Sequence, residues 1–122
     1  MLKKILVVDD EPHIVRLLSL RLEANGYQVL KAYDGVECLQ IAQIEIPDLI
    51  LLDISMPYKD GVQTFDELKQ LDITKSIPIM FITAVATVEM KVQAMNMGAN
   101  DFIAKPFDSY ELLNKIEQLI GA

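Results

Sequence analysis

Short apolar runs alternate with longer segments whose apolar residues recur every three or four positions, and the cycle repeats five times. Residues 4–9 (K-I-L-V-V-D) read as a first strand that ends in acid. Pro12 follows, where a helix's first turn tolerates it. Ile14, Leu17, Leu18 and Leu22 then keep helical spacing, and Gly26 offers a cap. Gln28–Ala32 is a second strand, and Asp34-Gly35 turns the chain into a helix carrying Val36, Leu39 and Ala42 that stops at Pro47. Residues 48–53 (D-L-I-L-L-D) form a third strand, whose unbroken apolar run implies burial on both faces, as in a parallel sheet. Asp60-Gly61 opens the turn to a helix with Phe65, Leu68 and Leu71. Residues 77–83 are a fourth strand with Pro78 near its start, and 88–97 a fourth helix ending at Gly98. Asp101–Ala104 is a fifth strand. Asp108 or Ser109 caps a last helix with Leu112, Leu113, Ile116, Leu119 and Ile120 inside. The alternation predicts an α/β fold, a parallel sheet with helices on both faces and right-handed crossovers.

Residues 1–122 have the length of one domain, with no linker, low-complexity tract or repeated motif. A chain of this size buries about two thirds of its surface, enough for a core without staples. Hydrophobic residues make up 52% and charged residues 24%, which excludes a disordered chain. Eleven basic against 18 acidic residues leave a net charge of −7, so direct binding to nucleic acid or to an anionic membrane is not expected. The apolar runs fall far short of the roughly 18–20 residues that span a bilayer. The basic start M-L-K-K runs quickly into Asp9, Asp10 and Glu11, unlike a signal peptide. A single cysteine, Cys38, makes no internal disulfide and fits a reducing compartment, so a cytoplasmic location is expected.

The acids fall at strand ends, where open α/β sheets bind ligands. Asp9 and Asp10 end the first strand and Asp53 the third. If those strands are neighbours, three carboxylates converge, and they repel unless a cation intervenes. Helix capping accounts for one acid but not for a second delivered to the same edge by a buried strand. Such oxygens suit Mg²⁺, and a carboxylate can itself be a nucleophile that becomes an acyl phosphate. Thr83 ends the fourth strand and Lys105 follows the fifth, adding a hydroxyl and an ammonium for phosphoryl oxygens. Lys105 reads as an exposed charge of little weight in folding, so Lys105→Ala is expected to fold normally. His13, the sole histidine, reads as an exposed residue of the first helical turn, and Met90, Ala94 and Met97 as a core stripe.

The ordered set V-V-D-D-E (7–11), L-L-D-I-S-M-P (51–57), D-G (60–61), I-T-A (82–84), G-A-N-D-F (98–102) and K-P-F (105–107) resembles the receiver domain of two-component response regulators, of the chemotaxis-regulator type. The likeness covers nearly the whole chain and implies a flavodoxin-like sheet of order 2-1-3-4-5. It further implies that Asp53 is the phosphoacceptor and Asp10 a direct Mg²⁺ ligand. Asp9 would hold the metal through water and Ser55 through its backbone carbonyl, and Mn²⁺ could substitute. Thr83 and the Ala84 N–H would hold phosphoryl oxygens, and Lys105 would pair with the phosphoryl group. Thr83 and Phe102 would form the switch, and Lys105–Pro106 would be cis. The implied function is a phosphorylation-activated signalling switch, not a metabolic enzyme, that assists its own phosphorylation and dephosphorylation. Its output face would be helix four, strand five and helix five. The donor would be a histidine kinase or histidine phosphotransfer protein. The output partner or domain is unidentified, and a phosphorylation-dependent dimer is an open alternative. Either a stand-alone regulator or a piece of a longer one fits the length.

The chain departs from the family's common pattern in three places. Lys59 stands where an apolar residue is usual. Ser55 and Val85 occupy positions that tune dephosphorylation. Residues 110–115 (Y-E-L-L-N-K) lack an arginine typical of one large DNA-binding subfamily and its dimer. Rival α/β functions fit less well. The five glycines are too scattered for a dinucleotide, P-loop or flavodoxin phosphate cradle. Aspartyl phosphatases of the haloacid dehalogenase type need D-x-D after the first strand, where this chain has adjacent acids. The serious rival is a receiver that no longer takes phosphate and only docks on a partner.

Overall fold

The computed structural model describes residues 2–54, 56, 60–84 and 87–121. Among them the elements run β1 (Lys4–Val8), α1 (Pro12–Ala24), β2 (Gln28–Ala32), α2 (Gly35–Glu45), β3 (Leu49–Asp53), α3 (Gly61–Gln70), β4 (Ile79–Thr83), α4 (Val88–Asn96), β5 (Asp101–Ala104) and α5 (Ser109–Ile120). The strands pair in parallel in the order β2-β1-β3-β4-β5, the flavodoxin-like order.

The pleat divides each apolar run between two cores. Leu6, Val8, Ile50, Leu52, Ile79, Phe81 and Phe102 pack with Cys38 and Ala42 of α2, Phe65 and Leu68 of α3, and Ala94 of α4. Ile5, Val7, Leu49, Leu51, Met80, Ile82 and Ile103 pack with Val15, Leu18 and Leu22 of α1 and Leu112 and Ile116 of α5. The period of two along a strand sends neighbours to opposite faces, so a strand covered on both sides is apolar throughout. Burial pushes the Cys38 thiol up to about 12, with the Asp34 charge adding to it, so it stays a neutral core residue.

Side chains fix the helix starts. Asp34, Asp60, Thr87 and Asp108 each accept an N–H of the first turn, and Asp60 and Gln63 complete a capping box. The helix after β1 begins otherwise. Glu11 is the N-cap without a side-chain cap bond, and Pro12 takes the first turn as expected. Gly26 has φ 89° just past the cap residue Asn25. At the end of α2, Ile46 carries φ 45°, a conformation β-branched residues rarely adopt.

Three expectations need correction. Leu17 and Val36 are exposed, because the buried stripe of α1 runs through Val15, Leu18, Ser19 and Leu22, and that of α2 through Gly35, Cys38 and Ala42. Ser19 is accommodated by donating to the Val15 carbonyl at 2.6 Å. Met97 caps α4 rather than belonging to it. The strand before α4 starts at Ile79, with the Ile79 N–H and carbonyl both bonded to Asn100. No helix among the described residues is long and apolar enough to cross a membrane.

Candidate functional site

The register Val8↔Leu52 sets Asp9, the residue after β1, beside Asp53, the last of β3. Asp9 still donates its N–H to the Ala32 carbonyl at 3.2 Å, so the ladder holds it in place past the strand's end. Both acids are almost wholly buried, Asp9 at 1% and Asp53 at 3% exposure. Asp10 is more open to solvent. Asp9, Asp10 and Asp53 each present a carboxylate oxygen, and the three oxygens lie within 4.8 Å of one another.

Thr83 ends the next strand and is fully buried, and Thr83↔Ala104 places β5 alongside. The Lys105 N–H donates to the Thr83 carbonyl at 2.7 Å, continuing the ladder, and the Lys105–Pro106 bond is cis. The Lys105 ammonium therefore enters the acid cluster. It donates to Asp9 Oδ2 at 2.6 Å and lies 3.5 Å from Glu11 Oε1 and 3.8 Å from Asp53 Oδ2. Burial works against this charge. The hydrogen bond to Asp9 and the fields of Asp53, Asp9 and Glu11 outweigh it and raise the lysine above its ordinary range. Its side chain is only 10% exposed. The solvated charge expected from sequence is thus a largely enclosed one, because strand register carries it inward.

Gly61 holds the floor. A Cβ there would sit 2.3 Å from the Asp53 carbonyl oxygen and 2.6 Å from Ile54 Cα, and the Gly61 N–H donates to the Ile54 carbonyl at 2.8 Å. Helix α3 thus starts directly against the backbone that carries Asp53. Met56 is buried in the adjoining core.

Three carboxylates against one ammonium leave the cluster negative, and its donors are all hard oxygens. That set fits a divalent cation such as Mg²⁺ or Mn²⁺. Phe102 lies near the same rim with its ring buried in the core. His13 is exposed, 3.5 Å from Glu11. Ala84 follows Thr83 at the surface. Ser55, Lys59 and Val85 lie outside the described residues.

Residues 5–117 match the response regulator receiver domain family. The chain belongs to that family. It is 43% identical over 118 residues to a probable transcriptional regulator, ycf27, of Cyanophora paradoxa, covering 97% of this chain and 48% of that protein. It is 42% identical over the same length and shares to the alkaline phosphatase synthesis transcriptional regulatory protein PhoP of Bacillus subtilis. The receiver thus spans about half the length of these curated relatives. Among solved structures, a putative response regulator from Chloroflexus aurantiacus superposes with TM-score 0.93 at 32% identity, each chain fully covered. The chemotaxis protein CheY4 of Vibrio cholerae gives 0.91 at 31%, covering 98% of this chain and 99% of that one.

Two residues of the site escape the sequence reading. Glu11 appears there only as an acid that ends an apolar run, and nothing in the spacing foretells that Lys105 reaches it. Gly61 appears as a turn residue, yet its need is close backbone approach rather than a positive φ. The last letter of V-V-D-D-E, a third acid in a row, and the glycine of Asp60-Gly61 were the available signals.

Proposed function

We propose that this receiver takes a phosphoryl group on Asp53 from a histidine kinase or histidine phosphotransfer protein and passes the signal on by a change of shape. The observation that carries the reading is the convergence of Asp9, Asp10 and Asp53 around a largely enclosed Lys105. A carboxylate oxygen of Asp53 attacks the phosphorus of the donor's phosphohistidine. The P–N bond breaks, its electron pair stays with the histidine nitrogen, and an acyl phosphate remains. Strand β3 fixes the attacking oxygen, so little freedom is lost on the way to the transition state. Lys105 pairs with a phosphoryl oxygen, and the Thr83 hydroxyl and Ala84 N–H donate to others. Asp9, Asp10, Asp53 and the Ser55 carbonyl would hold Mg²⁺, with Mn²⁺ as a substitute. When bound, the cation neutralises charge that builds up on the phosphoryl oxygens.

The output face is α4, β5 and α5. Phosphorylation adds about two negative charges at Asp53, and Thr83 turns its hydroxyl toward them. Phe102 has no hydroxyl to anchor it at the surface, in keeping with its buried ring. Phosphorylation then favours a packing of Thr83 and Phe102 that a partner reads, and that partner favours phosphorylation in return. The output partner is a separate protein or a further domain, and a dimer formed on phosphorylation is one form of the response.

Beryllofluoride, an acyl phosphate mimic, tests both parts. With Mg²⁺ present it should shift NMR signals from Asp53 through Thr83 to Phe102 and Tyr110. Asp10→Asn should lose Mg²⁺ binding and this response together. Changes confined to the loops around Asp10, Asp53 and Lys105 would leave a phosphorylated receiver with its output face elsewhere.

A further inference from the structure

Lys105 faces three carboxylates but is hydrogen-bonded to one of them, Asp9. Its ammonium is 2.6 Å from Asp9, 3.5 Å from Glu11 and 3.8 Å from Asp53. A divalent cation in the acid cluster would compete with it for Asp9 and Asp53. Glu11 stands outside that set. Its backbone N–H donates to Asp9 Oδ1 at 3.0 Å, and its two side-chain oxygens face Lys105 and His13, each at 3.5 Å. The Glu11 side chain is half exposed, whereas that of Lys105 is almost shut off from water. An ammonium displaced from Asp9 therefore has little solvent to move into, and leaving it unpaired is costly.

We propose that Glu11 is the positioning residue of Lys105, the carboxylate that receives its ammonium when a divalent cation takes Asp9 and Asp53. The proposal rests on reading Asp9, Asp10 and Asp53 as a cation site. The exchange is short, because the ammonium changes its main partner among groups it already touches. Without the Glu11 charge, Lys105 stays on Asp9 and Asp53 and opposes the incoming cation. With it, the lysine waits at the edge of the site, within reach of a phosphoryl oxygen.

The test is calorimetric titration of MgCl₂ alone into the wild type, Glu11→Gln, Glu11→Asp, Lys105→Met and the Glu11→Gln/Lys105→Met double variant. Glu11→Gln should weaken Mg²⁺ binding about fivefold, a size usual for groups that share a partner. Glu11→Asp, which keeps the charge, should restore most of it. Lys105→Met should tighten binding, and adding Glu11→Gln to it should change the affinity by less than about twofold. Unchanged affinity in Glu11→Gln, or an equal loss with and without Lys105, would overturn the proposal; the second result would mean that Glu11 acts on the cation directly. A wild type that binds no Mg²⁺ would overturn the cation site itself, and the proposal with it. Should Lys105→Met fail to fold, the Lys105 ε-methylene NMR shift replaces it. Mg²⁺ should move that signal differently in wild type and Glu11→Gln, and identical movement would refute the role of Glu11.

Discussion

Asp9, Asp53, Thr83 and Lys105 sit at the C-terminal rim of the sheet, fixed by strand ladders and nearly sealed from water. Beside them, α4 is nine residues long and buries only Ala94, while Val88, Val92 and Met95 face solvent. Helices α1 and α3 each bury four residues. An apolar cavity of about 30 Å³ lies under α4, between Ile54, Phe81, Met90 and Met97. The rim is therefore over-determined and α4 loosely held. Chemistry needs atoms kept in register, whereas a response needs an element that moves at small cost, and moving parts come from the weakly packed end of a structure.

Gly61→Ala should strike the rim hardest. The added methyl would meet backbone rather than a yielding side chain, so a loss of about 3 kcal/mol is expected, roughly 10 °C in melting temperature. Thermal denaturation checks this, and a near-wild-type melt would show that the floor under Asp53 gives way easily.

Lys105→Ala should cost about 2–3 kcal/mol without divalent cation, because it leaves Asp9 and Asp53 buried without their ammonium. Mg²⁺ should restore much of the loss by binding only the folded state. Denaturant melts with EDTA and with Mg²⁺ separate this from the alternative of a lysine that matters to signalling alone.

Alkaline pH reads the core beneath. The folded Cys38 thiol titrates at about 12 against 9.0 for an ordinary one, so above pH 9 the unfolded state loses its proton first. Stability falls as pH rises through that window, by up to about 1.4 kcal/mol per unit. The raised Lys105 acts in the same direction, since its stabilisation fades only as pH climbs through its folded value. Cys38→Ala should flatten the slope of stability against pH, followed by urea melts.

The smallest effect belongs to α4. Val92→Lys should change stability by less than about 0.5 kcal/mol, since the residue is already half exposed. Hydrogen exchange should be faster in α4 than in α1 or α3. Slower exchange in α4 would erase the contrast.

The fold was legible because its signals are local and repeated. D-L-I-L-L-D shows a strand buried on both faces, Asp34-Gly35 and Asp60-Gly61 mark turns into helices, and Asp108 marks a helix start by cap chemistry. Asp9, Asp53 and Thr83 were legible as strand ends, since a parallel sheet brings such ends to one edge. The environment of Lys105 was not. Whether a lysine just before a proline points to solvent or back over a neighbouring strand depends on tertiary register, which no local pattern encodes. Leu17 failed for a related reason: helical spacing gives the width of a stripe, but the sheet decides which side of it is covered.

The central claim is that Asp53 is the nucleophile of the buried rim. Mass spectrometry after acetyl phosphate and Mg²⁺ treatment tests it most directly. One acid-stable, hydroxylamine-labile adduct should map to Asp53 and vanish in Asp53→Asn. Stoichiometric labelling of that variant, or an adduct on His13, would contradict the account.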